Sequence, residues 1–280
     1  MALLQNTYGK GRVRVLRLYR DGQYHEPRET SAKVLLEGDF SRSYTGPDNS
    51  TVIATDSIKN IVNVVGRENL RLSTEEYGVA IAKKFLDGYP QVERVNVELV
   101  ETQWQRLSFD GKPHDYSFTR LGNGNPIAKI VASRNSTEIE SGVDGFTFMK
   151  TTESGWADYV IDEHTSLAET RDRIAATSML ATWRWTRNPK SFPEANNAIL
   201  QAMIKEFATT YSEGVQDSMY RMGLRALDAM PEISEVAMAM PNLHYIPMNL
   251  SHFKLDNPGV MFLPTNEPHG QIQCTVGRDK

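Results

Sequence analysis

The chain has 280 residues, and its 31 Lys and Arg against 35 Asp and Glu give a formal net charge of −4. That mildly acidic balance lacks the basic excess of a protein that tracks phosphate backbones, so nucleic acid is not an expected partner. The single cysteine, Cys274, allows no internal disulfide and no thiolate metal framework, and no run approaches the roughly 18 apolar residues of a membrane span. A reducing, cytoplasmic setting is therefore expected, and a size prior of roughly 150 residues per domain suggests about two domains.

In chain order, Gly11 to Arg20 interleaves Val13, Leu16 and Leu18 with arginines, the pattern of a half-buried strand, and Ala32 to Glu37 reads as a second strand. Ile58, Ile61, Val62 and Val65 then recur at three- and four-residue spacing, predicting a helix that Gly66 stops. Ser73-Thr74-Glu75-Glu76 forms a capping box ahead of Tyr77, Ile81, Ala82, Phe85 and Leu86, a second helix closed by Gly88 and Pro90. Val92 to Val100 and about Asp115 to Arg120 are expected as strands, with Asp110-Gly111 a hairpin-type turn between them.

The second half reads as a repeat. Ile127 to Ser133, Gly145 to Thr151 and Ala181 to Trp185 are strand-like, and helical spacing from Phe192 continues to about Met230. Tyr89 to Leu99 also aligns with Met230 to Met240, keeping Pro90 with Pro231 and Val95 with Val236. Two antiparallel α+β units are expected, 1–136 and 137–280. No Walker A motif, complete dinucleotide fingerprint, H-E-x-x-H, C-x-x-C or nucleophile elbow occurs, and the six histidines are scattered. No dedicated metal site is expected.

What remains is a set of polar clusters where strands meet helices or turns: Tyr8 to Gly11, Ala54 to Asn60, Glu169 to Arg173, Gly214 to Gln216 and Pro241 to Tyr245. Singly, each has a plainer reading: Lys10 as a surface lysine, Thr55-Asp56-Ser57 as a helix cap, Arg173 as a solvated helix charge, His244 as a strand histidine. Together and in this order they resemble the urate oxidase (uricase) family. Asp162-Glu163 with Thr165-Ser166-Leu167, Ala181-Thr182-Trp183, Met219-Tyr220 and Cys274-Thr275-Val276-Gly277-Arg278 extend the resemblance over nearly the whole chain.

The resemblance implies two tandem tunnelling-fold (T-fold) units, each an antiparallel four-stranded sheet with two helices on one face. Sheets of paired subunits would close a β-barrel tunnel, in a homotetramer with active sites at subunit interfaces. It implies oxidation of urate by O2 and water to 5-hydroxyisourate and hydrogen peroxide, with no cofactor. Arg173 would grip one edge of the planar anion and Gln216 the other, with the Val215 backbone donating a further bond and Leu167 packing nearby. Lys10, Thr55 and His244 would form a proton relay, a lysine lowered by burial taking its proton through the threonine hydroxyl. Asn242 would hold O2 or the water that replaces it, and Asp56 would contact the ligand or support the relay.

Two residues depart from the family pattern. Trp156 stands where a stacking phenylalanine is usual, so it would either stack on the purine or serve as a loop or core anchor. Leu243 stands where lysine is frequent, removing a charge beside His244. The peroxisomal Ser-Lys-Leu ending of eukaryotic members is replaced by Gly277-Arg278-Asp279-Lys280, which implies a bacterial cytoplasmic protein. Two other readings stand: a zinc enzyme acting on pterins, for which a Cys/His ligand set is lacking, and a non-catalytic purine binder, which would not need Lys10, Thr55 and His244 together.

Overall fold

The computed structural model describes residues 1–279; Lys280, the last residue of the second expected unit, lies outside the described residues. The chain divides into two compact units, Met1–Gly142 and Val143–Lys280. Among the described residues no helix is long and apolar enough to cross a membrane.

The first unit starts with β1 (Tyr8–Asp21) and β2 (Tyr24–Gly38), followed by the short α1 (Ser41–Thr45), α2 (Thr55–Glu68), α3 (Thr74–Gly88) and β3 (Val92–Thr102). A hairpin of β4 (Trp104–Phe109) and β5 (Lys112–Arg120) precedes β6 (Asn125–Ser133). The main sheet runs β1-β2-β3-β6, all antiparallel. Alternate strand residues such as Val34, Leu36, Val95, Val97 and Ile130 are buried against Ile58, Val62, Tyr77, Ile81 and Phe85, so α2 and α3 cover one sheet face. The capping box holds: Ser73 Oγ accepts from Glu76 N at 3.2 Å, and Glu76 Oε2 accepts from Ser73 N at 2.9 Å.

Four expectations are corrected in the first unit. The strand at 115–120 is not the fourth strand of the sheet. It pairs with β4 across the Asp110-Gly111 turn, where both residues take positive φ, and leaves Tyr116 exposed. The fourth place goes to β6, whose Ala128, Ile130 and Ala132 supply an apolar face, so a run read as belonging to the second half completes the first sheet. Gly66 does not stop α2. A Cβ there would lie 3.1 Å from Tyr77 Oη, so the glycine admits a close crossing inside the helix. In β1, Arg17 and not Leu16 faces the core: Arg17 is 1% exposed and Leu16 56%. The guanidinium stacks 4.1 Å from the Tyr77 ring centroid and donates to the Asn69 and Leu72 carbonyls, which makes the burial of a cation tolerable.

β7 (Thr137–Lys150) runs across the division into the second unit, which continues with β8 (Ala175–Trp185), α4 (Phe192–Thr209), α5 (Val215–Ala229), β9 (Ile233–Pro247) and β10 (Phe262–Gly277). Its strand order is β7-β8-β9-β10, with β8–β9 and β9–β10 antiparallel. The core packs Met179 and Trp183 of β8 and Met238 and Met240 of β9 with Ile199, Met203, Met219 and Met222 of the two helices. Helical structure expected without a break to Met230 is interrupted at residues 210–214, where Gly214 caps a new helix. The α+β expectation stands, with two long helices and four sheet strands in each unit among the described residues.

Candidate active site

A cavity of about 730 Å³ opens within the second unit. Its lining includes Trp156, Leu167, Arg173, Val215, Gln216, Asn242 and His244, seven positions singled out from sequence and spread over some 90 residues of chain.

Three parts of the fold bring them together. The irregular segment between β7 and β8 is clamped on both sides: Trp156 and Thr170 exchange backbone bonds at 2.7 and 2.9 Å, and Gly155 N donates to Ser212 O at 2.8 Å. Arg173 at the end of this segment is anchored by its backbone N–H on Ser154 O at 2.8 Å and by Nε on Gly155 O at 3.1 Å. No other hydrogen bond of its side chain occurs among the described residues, which leaves the two terminal amino groups as a fork. Burial pulls the guanidinium below its ordinary value, a cost that an anion on the fork would relieve.

The break before α5 supplies the second part. Gly214 is extended, and Val215 and Gln216 follow as the first residues of the helix, where backbone N–H groups lack helical partners and favour negative charge. A Cβ at Gly214 would lie 2.9 Å from Trp156 Cζ3 and 3.4 Å from Gln216 Oε1, so the glycine lets the helix start press against the indole. The third part is β9, on which Asn242 and His244, two residues apart, share a face. Asn242 Oδ1 is buried without a partner, as is the hydroxyl of Thr177, its register partner on β8. Asn242, which lines the cavity, thus holds unspent hydrogen-bonding capacity, which buried polar groups rarely leave unused.

The other three expected site residues lie in the first unit. Lys10 sits on β1 at the register shift between Lys10 and Val13, half-buried. Thr55 opens α2, and the plainer reading of it as a cap does not hold: the capping position is Ala54, with no side-chain cap bond. Asp56 accepts from Lys59 and Asn60, one turn along the same helix face. The Lys59 bond chiefly holds its carboxyl below the usual range, and the Lys10 charge adds to this, so Lys10 and the start of α2 share one locality. Tyr8 secures that arrangement: its hydroxyl accepts from Ile53 N at 2.8 Å, tying β1 to the segment before Thr55.

Sequence reasoning did not assign roles to Tyr8, Lys59, Asn60 or Gly214, although each lay within or beside a quoted motif. The i, i+3, i+4 spacing of Asp56, Lys59 and Asn60 was the available signal for the first turn of α2. Among the described residues no group of three or more His, Cys, Asp or Glu side chains is arranged to hold a metal ion.

A sequence profile of the Uricase family matches residues 6–131 and 139–273. The chain is 35% identical over 295 residues to uricase-2 isozyme 1 of Glycine max, covering 98% of this chain and 94% of that protein. Its fold superposes on the crystal structure of the uricase from Arthrobacter globiformis with a TM-score of 0.94 at 33% identity, covering 100% of this chain and 96% of the other. The urate oxidase of Bacillus sp. TB-90 shares the fold at a TM-score of 0.86 and 21% identity, covering 98% and 100%. With matches of this extent in both units, the chain belongs to the uricase family.

Proposed function

We propose that the protein oxidises urate with O2 and water to 5-hydroxyisourate and hydrogen peroxide, without a cofactor. The observation that carries the reading is the gathering of Trp156, Leu167, Arg173, Val215, Gln216, Asn242 and His244 around one cavity of the second unit.

Urate is flat and anionic. The free fork of Arg173 pairs with one edge, the Gln216 amide and the Val215 N–H bond the other, and Trp156 and Leu167 bound the ring. Two electrons and two protons pass from urate to O2, which leaves as hydrogen peroxide; water then adds to the oxidised ring to give 5-hydroxyisourate. Once deprotonated the purine is itself the electron donor, so the task of the protein is to move protons. Lys10 and Thr55 accept them, with His244 completing the relay and Asp56 steadying Lys10 and Thr55. Asn242 holds O2, then water, above the ring through its carboxamide.

Lys10, Thr55 and Asp56 belong to the first unit and the clamp to the second. In this reading a neighbouring subunit supplies the former, in a homotetramer whose paired sheets enclose a tunnel. The single cysteine suits a reducing cytoplasm.

The test follows urate absorbance, O2 and peroxide together after adding urate to EDTA-treated protein in aerated buffer. Equal changes in all three are expected. Binding without turnover would leave a purine binder, and no binding would remove the pocket assignment.

A further inference from the structure

Trp156 does not stand alone. Its indole is stacked with the Tyr159 ring, the centroids 5.8 Å apart and the planes inclined by 18°. The Tyr159 hydroxyl donates to the carbonyl of Leu167 at 2.6 Å. Trp156 and Leu167 line the cavity, whereas Tyr159 does not. The tyrosine thus supports the indole through a stacking contact from outside the cavity lining, while the indole itself reaches the cavity.

We propose that Tyr159 is a positioning residue for the purine: it backs Trp156 so that urate enters as the third layer of a Tyr159–Trp156–purine stack, and it ties Leu167 to the same support. This rests on the reading of Trp156 as the stacking residue. An indole is larger than the phenyl ring usual in the family and has more ways to tilt. A flat partner at 18° holds its plane, and offset stacking is the favoured aromatic geometry. The hydroxyl bond does a second task, since Tyr159 and Leu167 are eight residues apart on an irregular segment with no ladder between them. The two apolar contacts of the purine are thereby fixed relative to each other before substrate arrives, which lowers the ordering cost of binding.

The experiment compares wild type, Tyr159→Leu, Tyr159→Phe and Trp156→Phe as full-length proteins. Urate affinity is measured by equilibrium dialysis under nitrogen, so that no turnover occurs. Tryptophan emission is followed in the same samples, and kcat at saturating urate in air. Tyr159→Leu is expected to weaken urate binding about two- to tenfold, the range of a lost aromatic pair, with kcat within about twofold of wild type. Tyr159→Phe keeps the ring and is expected to recover most of that loss, the remaining gap reporting the Leu167 tie. Unchanged affinity in Tyr159→Leu, or equal losses in the Leu and Phe variants, would overturn the stacking role. A kcat that falls in step with affinity in Tyr159→Leu would make the residue merely structural. If urate leaves the emission of wild type unchanged, or Trp156→Phe keeps the full quench, the reading of Trp156 itself fails and the proposal with it.

Discussion

Arg173 and Gly155 are joined by a hydrogen bond of 3.1 Å from Nε to the carbonyl, and the neighbouring Ser154 carbonyl accepts the Arg173 backbone N–H at 2.8 Å. The cation and the indole of Trp156 are thus carried by one clamped piece of backbone. Using Nε for structure orients the planar guanidinium and leaves its terminal amino groups for the ligand.

Arg173→Lys is accordingly not a conservative change. Lysine offers a single ammonium, without the Nε anchor or the two-pronged fork. Anaerobic urate binding is expected to weaken by at least about tenfold, the scale of one charge-assisted hydrogen bond. Equilibrium dialysis reads this directly, and near wild-type affinity would contradict the clamp.

Lys10→Ala and Thr55→Val are expected to behave differently. Their side chains are assigned to proton movement, for which losses of about 100-fold or more in kcat are typical, while anaerobic urate affinity should change less than about threefold. Steady-state kinetics paired with dialysis separates the two quantities. Parallel losses in both would place these residues in binding instead.

Gly214→Ala tests the contact between the α5 start and Trp156. The added Cβ would lie 2.9 Å from Trp156 Cζ3, so the indole must shift. Urate KM is expected to rise severalfold, and Trp156→Phe in the same chain to restore part of it, because the smaller ring vacates the space. A double-mutant cycle with additive effects would show that the two positions do not interact.

The Tyr77 hydroxyl donates to Val62 O at 2.8 Å inside the first unit, and burial pushes it up to about 12 from 10.0. A raised pKa means that the folded protein keeps a proton which the unfolded chain releases. The associated stability is complete below pH 10 and is lost as the pH rises toward about 12. Thermal melts from pH 8 to 11 should fall more steeply for wild type than for Tyr77→Phe above pH 10. Identical slopes would contradict this.

Much of the fold was legible because the apolar period is clear. The 3.6-residue spacing and the Ser73 capping box placed α2 and α3, and alternation placed β1, β2 and β3. Other features depended on tertiary contacts. Arg17 reads as an outward residue next to Leu16 until the Tyr77 ring and two carbonyls of the α2–α3 connection, Asn69 and Leu72, are seen to receive it. Gly66 reads as a stop signal until Tyr77 is found to cross there. The 115–120 run looks like part of the sheet because the Asp110-Gly111 turn before it is right, and its pairing with β4, a strand not expected from sequence, takes it out. In the site, the motif residues carried their own chemistry, but Tyr159 and Gly214 act through shape. A stacked partner three residues along an irregular segment leaves no periodic trace in sequence.

Mixing two inactive variants tests the shared-subunit arrangement most directly. Lys10→Ala damages the first unit and Arg173→Ala the second, so subunits of each, co-expressed in equal amounts, still carry one intact set of each kind. If every site joins the relay of one subunit to the clamp of another, about a quarter of the sites in randomly assembled hybrids are intact and urate oxidation returns to about that fraction of wild type. If relay and clamp act within one subunit, the mixture has no more activity than the average of its two components, and a Lys10→Ala protein that is active by itself would remove Lys10 from the relay.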